Sequence, residues 1–164
     1  MTYFMLNIAL ALAWAAFTGN FNPSNLMIGF ILGYLTLLAT RRALAPSDYF
    51  SKVRQAIGFA GFFLWELVLA NLRVAYDVMT PQYHMKPRVI AIPLDARTDA
   101  EITALAYFIS LTPGTLSLDV STDRRILFIH AMYAPDADTV RREIKQGFER
   151  RLLELMRGDP AKRG

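Results

Sequence analysis

The residue best suited to chemistry is Glu66, an acid inside the otherwise apolar segment 57–72. A carboxylate at membrane depth can bind a cation or relay a proton, because it alternates between charged and neutral forms. Residues 66, 70, 73 and 77 share one helical face. The sequence therefore makes Glu66 a candidate for ion or proton handling. The alternative is that Glu66 and Arg73 form an interface, with Glu66 paired either to Arg73 or to a partner protein.

The other polar residues form no catalytic or metal-binding pattern. The chain has no cysteine, which excludes disulfides, thiolate metal sites and cysteine nucleophiles. Its two histidines, His84 and His130, cannot form a zinc site by themselves. Asp119, Asp123 and Asp136 lack the spacing of an acid/base pair or a calcium loop. We therefore predict no catalytic residue, no metal site and no cofactor, and we do not expect an enzyme.

The run Thr112-Pro113-Gly114-Thr115 has the small and polar residues of an anion-binding loop. A phosphate loop also requires a lysine and a helix that follows it, and neither is present here. We predict that these four residues form a structural turn between a helix and a strand.

The elements that position these residues begin with an apolar hairpin. No charged residue occurs from Met1 to Thr40, and two apolar runs, 3–17 and 26–39, flank a segment rich in turn formers. This pattern predicts two helices joined by a tight turn. A cleaved signal peptide is the alternative for the first run, but no basic residue precedes it and a second apolar run follows at once. We expect both helices to be retained.

The two predicted helices are short for a membrane span. Met1–Thr18 and Asn22–Thr40 reach about 27 and 28 Å as helices, against a hydrocarbon core about 30 Å thick. Gly29 and Gly33 form a GxxxG pair in the second helix, and a stripe of small residues (Ala9, Ala13 and Ala16) lies on the first. We predict that Gly29 and Gly33 pack helices together, either within this hairpin or against another protein of a complex.

Whether segment 57–72 forms a third crossing decides the topology. Arg41, Arg42, Lys52 and Arg54 crowd the loop before it, so the positive-inside rule places that loop in the cytoplasm. Two crossings leave the C-terminal domain in the cytoplasm, whereas three would move it outside. We favour two crossings, with the third segment lying at the membrane surface.

The pattern changes after residue 80. Strands are predicted at 89–94, 116–120 and 126–132, the last two as a hairpin, and Thr98 and Glu101 match a capping box ahead of a helix. A final amphipathic helix runs from Asp136 or Asp138 to about Arg157. The predicted fold class is a membrane α-helical hairpin, with two or three short transmembrane or interfacial helices, plus a small α+β cytoplasmic domain of β-α-β-β-α order. Its domains are a membrane-embedded region, 1–80, and a soluble domain, 81–164.

The formal net charge of +4 does not indicate nucleic-acid binding. Many of the basic residues flank apolar segments, where they report membrane orientation. Most of the others lie with acids in the last helix, as on a solvated surface. We predict no nucleic-acid partner.

Several of these residues match one known family. The strongest match is LTPGTLSLDV at residues 111–120, supported by Gly29 and Gly33, by Glu66 with Ala70-Asn71, and by Phe148-Glu149. From about Trp14 to about Arg151 the chain resembles the E subunit of the Mrp-type multisubunit Na⁺/H⁺ antiporter family.

The resemblance implies an accessory membrane protein that supports the assembly and activity of a multisubunit monovalent cation (Na⁺)/proton antiporter. Larger subunits would carry the ion pathways. The expected partners are the other antiporter subunits and membrane lipid, with no nucleic acid and no small-molecule substrate of its own. The expected location is the cell membrane, as a multi-pass protein with a cytoplasmic C-terminal domain. The alternative is a freestanding membrane-anchored protein-interaction module.

Overall fold

The computed structural model describes residues 2–40, 49–80 and 85–157. Three helices occupy the first half of the chain, namely α1 (Thr2–Thr18), α2 (Pro23–Thr40) and α3 (Tyr49–Met79). The second half contains β1 (Arg88–Pro93), α4 (Asp99–Leu111), β2 (Thr115–Val120), β3 (Ile126–Ala131), α5 (Ala137–Glu143), a π-helical turn (Ile144–Glu149) and α6 (Arg150–Arg157). Apolar helices combined with a small α+β domain are therefore confirmed.

These elements form two compact units, Met1–Arg54 and Gln55–Gly164. The predicted division after residue 80 separates a membrane region from a soluble one, and it stays a prediction. Arg41 and Arg42, on which the predicted orientation partly rests, lie outside the described residues, as does His84.

In the first unit α1 and α2 form an antiparallel hairpin around a polar turn. Gly19 adopts a φ of +64°, which favours glycine. The side chain of Asn25 ties the turn together: its Oδ1 accepts a 3.1 Å hydrogen bond from Trp14 Nε1, and its Nδ2 donates to Thr18 Oγ1 at 2.7 Å. The turn formers in the sequence therefore act through specific side-chain bonds.

The buried face of α1 differs from the one that its small residues indicate. Ala11 and Ala15 are buried, together with Asn7, in an i, i+4, i+8 row. Ala9, Ala13 and Ala16 are exposed in the described chain. The reason is that Gly33 packs against the side chain of Asn7, which fixes the rotation of α1 about its axis.

In the second unit an antiparallel sheet has the strand order β1-β3-β2. The predicted hairpin of the last two strands is confirmed, with Leu116 opposite His130 and a register shift between Ser117 and Asp119. Pro93 ends the edge strand β1, where a missing backbone N–H does not interrupt the sheet.

The core lies on one face of this sheet. It contains alternating residues of the strands and one side of each helix, with the fully buried members Ile92, Leu105, Ile109, Leu127 and Ile129. The predicted capping box is confirmed, because Thr98 Oγ1 accepts from the backbone of Glu101 while the Glu101 carboxylate accepts from Thr98 N.

Two features of this unit go beyond the pattern in the sequence. First, Phe59 of α3 belongs to the core, and its ring centroid is 4.7 Å from that of Phe108. Second, the predicted continuous final helix is interrupted by the π-helical turn at Ile144–Glu149. The wider turn lets Phe148 and Glu149, which are adjacent in sequence, both lie buried.

Candidate functional site

The second unit contains a groove of about 750 Å³ between α3 and the helices that follow the sheet. Glu66 and Arg73 line it from α3, and all four residues of the predicted turn, Thr112 to Thr115, line its floor. Arg142, Glu143 and Gln146 line it from the other side. The structure thus brings together Glu66 and Gln146, which the sequence places 80 positions apart.

The turn on the floor of the groove is held by its two threonines. Thr112 Oγ1 donates to Phe108 O at 3.1 Å, and Thr115 Oγ1 donates to Ile109 O at 2.6 Å. These bonds satisfy carbonyls at the C-terminal end of α4, which have no partner within the helix. Because both hydroxyl hydrogens are used in this way, the turn offers no hydroxyl donor to an anion.

Gly114 links this turn to a cluster of aromatic and charged residues. Its φ is +88°, and a Cβ at this position would lie 3.2 Å from the ring of Tyr133. Glycine is therefore required both by the backbone and by the close approach of the ring. Arg73 of α3 lies over the same Tyr133 ring. Its guanidinium carbon is 5.6 Å from the ring centroid, which is within range of a cation–π interaction.

Tyr133 also contacts Asp77, which is 7% exposed near the end of α3. Burial, and then the hydrogen bond to Asp77, raise the pKa of the Tyr133 hydroxyl. The phenol therefore remains protonated and donates to the carboxylate. Through Tyr133 the floor of the groove is joined to the last turns of α3.

Glu66 has a different environment from the one predicted for a pair with Arg73. It is half-buried on the groove and forms no hydrogen bond or ion pair with any residue of 2–40, 49–80 or 85–157. Its carboxylate therefore has no partner among the described residues of the chain. No cluster of three or more His, Cys, Asp or Glu side chains in the described ranges could hold a metal ion.

Gly29 and Gly33 are not part of this groove, since they lie in the first unit and pack α2 against α1. A Cβ at Gly29 would lie 3.0 Å from the Ala11 carbonyl oxygen and from Trp14 Cβ. A Cβ at Gly33 would overlap the Asn7 side chain. The close approach predicted for these glycines occurs within the hairpin.

A buried ionic cluster in the same unit has no counterpart in the sequence analysis. Glu149 is 1% exposed, and its Oε1 accepts from the backbone N–H groups of Asp95 and Ala96 at 2.6 and 3.0 Å. Lys145 Nζ lies 2.8 Å from Glu149 Oε2 and 2.6 Å from Asp95 Oδ2. The charges of the last helix were expected on a solvated surface. The signal that could have revealed Glu149 is its place beside the buried Phe148.

The second half of this cluster is the pair Glu101–Arg157. Arg157 donates from Nε to Oε1 at 2.6 Å and from Nη2 to Oε2 at 2.7 Å, and Glu101 is 5% exposed. These bonds from Arg157 outweigh the effect of burial and lower the pKa of Glu101 from 4.5 to about 2. Burial alone would lower the pKa of Lys145, but its interactions with Asp95 and Glu149 raise it.

The comparisons of this chain with known proteins agree with one another. A family model described as "Na+/H+ ion antiporter subunit" matches residues 7–155. The chain is 36% identical over 151 residues to the E subunit of the Na(+)/H(+) antiporter of Alkalihalophilus pseudofirmus, covering 92% of this chain and 96% of that protein. It is 37% identical over 153 residues to the Bacillus subtilis protein of the same name, covering 93% and 97%.

Among solved structures, the chain is similar to one chain of the membrane-bound sulfane sulfur reductase, an archaeal respiratory membrane complex. The TM-score is 0.54 at 29% identity, covering 92% of this chain and 96% of that one. The similarity therefore includes both the apolar helices and the α+β unit.

Proposed function

Because this chain belongs to the family of Na⁺/H⁺ ion antiporter subunits, we propose that it is an accessory membrane component of a multisubunit antiporter. That complex exchanges monovalent cations, chiefly Na⁺, for protons. The observation that carries this proposal is the match to the E subunits of Na⁺/H⁺ antiporters along more than nine-tenths of the chain. The role of this protein is to support the assembly and activity of the complex.

The described residues support an accessory role. In the described parts of α1 and α2 the only buried polar group is the Asn7 side chain, whose Nδ2 donates to Tyr49 Oη at 2.8 Å. No described residue of the hairpin is ionisable except tyrosine. A continuous ion path needs polar or ionisable groups at membrane depth. The path therefore belongs to partner subunits, and this chain contributes packing surface.

The proposed location is the cell membrane, with the hairpin crossing it twice and the C-terminal domain in the cytoplasm. The outer surfaces of α1 and α2 suit lipid, since their exposed side chains include Phe4, Met5, Leu12, Met27 and Ile31. The basic residues between positions 41 and 54 orient the hairpin with both of its ends toward the cytoplasm.

Co-purification tests the function directly. The full chain, with a mild affinity tag and expressed in its native host, is solubilised gently, and the proteins recovered with it are identified by mass spectrometry. We expect several large polytopic membrane proteins in fixed stoichiometry. Deletion of the chain is then expected to lower Na⁺/H⁺ exchange in everted vesicles. Recovery of the chain alone, or with soluble proteins only, would contradict the proposal and favour a membrane-anchored interaction module.

A further inference from the structure

Helix α3 has two faces of opposite character. Between residues 55 and 79 its charged residues are Glu66, Arg73 and Asp77. At about 100° per residue, these three positions fall within about 40° of one another around the axis. The face that they share is the one packed on the α+β unit, where Phe59, Phe62 and Phe63 contact Phe108 and Phe148.

The opposite face, here called the outer face of α3, has no charged residue over the same range. Its large side chains are exposed in the described chain, namely Ile57, Leu64, Trp65, Val68, Leu72, Tyr76 and Met79. From Ile57 to Met79 this face is about 33 Å long. A contiguous apolar surface of this size on a soluble domain marks an interaction site.

By length and hydropathy alone, α3 meets the criteria for a membrane-spanning helix. Its packing opposes that assignment, because contacts with the α+β unit extend from Phe59 to Asp77, about 27 Å along the helix. A crossing helix would carry the charged residues of that unit into the hydrocarbon. Each would cost on the order of 3 kcal/mol. If the α+β unit separated from α3 to avoid this cost, the core that includes Phe59 would be exposed to water.

The first turn of α3 lies at the hairpin. The Tyr49 ring centroid is 5.9 Å from that of Tyr34, and the Phe50 ring is 6.2 Å from that of Tyr3. Tyr34 precedes the end of α2 by six residues, or about 9 Å. The start of α3 is therefore close to the end of a proposed membrane helix. Lys52 and Arg54 follow in its first two turns and are exposed, where they can meet lipid phosphates.

We propose that the outer face of α3 is a lipid-binding surface, which lies along the phospholipid bilayer at the boundary between headgroups and acyl chains. The α+β unit then lies on the water-facing side of the helix. Trp65 and Tyr76 have the amphipathic rings that favour this depth. The proposal rests on the proposed function only in taking the hairpin as membrane-spanning.

The chain has no cysteine, so single substitutions allow site-specific spin labelling of the full chain. Ile57→Cys, Leu64→Cys, Leu72→Cys and Met79→Cys place a nitroxide along the outer face, and Thr103→Cys is the control at an exposed position of α4. The full chain is placed in nanodiscs of phosphatidylethanolamine and phosphatidylglycerol. The depth of each label is measured from its collision rates with oxygen and with a nickel chelate.

We expect the four outer-face labels at similar depths, roughly 5–10 Å below the headgroups, and the control label in water. A depth that increases to the bilayer centre and decreases again toward residue 79 would overturn the proposal in favour of a third crossing. If all four labels were in water, the lipid-binding proposal would also be overturned, and the outer face of α3 would instead be a candidate surface for a protein partner.

A measurement without cysteine keeps the test independent of labelling. Trp14→Phe leaves Trp65 as the only tryptophan of the chain, and brominated lipids are then expected to quench most of its fluorescence. Lack of quenching would contradict the proposal. Because co-purification does not depend on the depth of α3, recovery of antiporter subunits together with water-exposed labels would overturn this inference and leave the proposed function standing.

Discussion

Charged residues, of which Glu101 and Glu149 are buried, hold the C-terminal helix to the loop after β1 and to the first turn of α4. Glu149 binds the loop through two backbone N–H groups, and Arg157 binds Glu101 through two parallel hydrogen bonds. Bidentate bonds between arginine and a carboxylate are among the strongest in proteins. Removing one partner would leave a buried charge without compensation, which costs more than the pair contributes. The α+β unit therefore depends on these residues as well as on its apolar core.

This dependence predicts a specific response to acid. The folded state lowers the pKa of Glu101 from 4.5 to about 2, so its contribution to stability is complete above pH about 4.5 and is lost as the pH falls toward 2. We expect the melting temperature of the full chain in detergent to fall over this range. In Glu101→Gln the starting stability is lower but the fall is smaller, since glutamine does not titrate.

The matched control for this prediction is Glu154→Gln. Glu154 of α6 has a side chain that is 46% exposed and lies 4.0 Å from Arg150, and pairs with this much contact to solvent contribute little. Its melting temperature should follow that of the unmodified chain at every pH. Parallel curves for Glu101→Gln and the unmodified chain would show that the acid response comes from other groups.

The hairpin is an element held by close approach of two backbones. Gly29 and Gly33 leave room for Ala11, Trp14 and Asn7 of α1, and the first turn of α3 adds the hydrogen bond from Asn7 Nδ2 to Tyr49 Oη. The exposed stripe of Ala9, Ala13 and Ala16 is then available on the opposite side of α1.

Gly29→Leu should open this hairpin. The new side chain would meet the Ala11 carbonyl and Trp14 at about 3 Å, and overpacking of this kind typically costs about 1–3 kcal/mol. We expect a lower midpoint in an unfolding titration followed by the fluorescence of Trp14, with Trp65→Phe as the background. Gly61→Leu is the control, because a Cβ at Gly61 has nothing within 4 Å. Equal midpoints for the two variants would show that α1 and α2 do not depend on this contact.

At the scale of the whole molecule, several surfaces are not covered by any of the residues that the structure describes. In the groove beside α3, Glu66 has no partner among the described residues. On the face of the sheet away from the core, Val89, Leu116 and Leu118 are exposed. Such surfaces are suited to contacts with the partner chains of a complex. We therefore propose that Glu66 and Arg73 contribute to an interface with another protein of the antiporter, and that neither residue carries the ion.

Glu66→Gln separates these two roles. As an interface residue, Glu66 should affect how much complex is recovered, so we expect less assembled antiporter but unchanged Na⁺/H⁺ exchange per assembled complex in everted vesicles. Arg73→Gln should behave in the same way, while Glu154→Gln should alter neither quantity. Reduced exchange per complex, or a shifted Na⁺ dependence, would instead assign Glu66 to ion or proton handling.

The sequence by itself determined the local elements, because their signals are local. Forty residues without charge around a polar turn predict an apolar hairpin, and the spacing of Thr98 and Glu101 predicts the start of α4. Alternating residues predict the last two strands, and the 111–120 motif predicts the family. Each of these signals lies within a few turns of helix or a few residues of strand.

Only the tertiary structure decided which surfaces meet. Apolar periodicity shows that Phe59, Phe62 and Phe63 avoid water, but protein and lipid can both satisfy that preference. The structure assigns these side chains to the core of the α+β unit, buries Ala11 instead of Ala9, and buries Glu149 behind loop residues more than 50 positions away. Such choices depend on long-range packing and on compensation of buried charge, which a pattern along one segment does not contain.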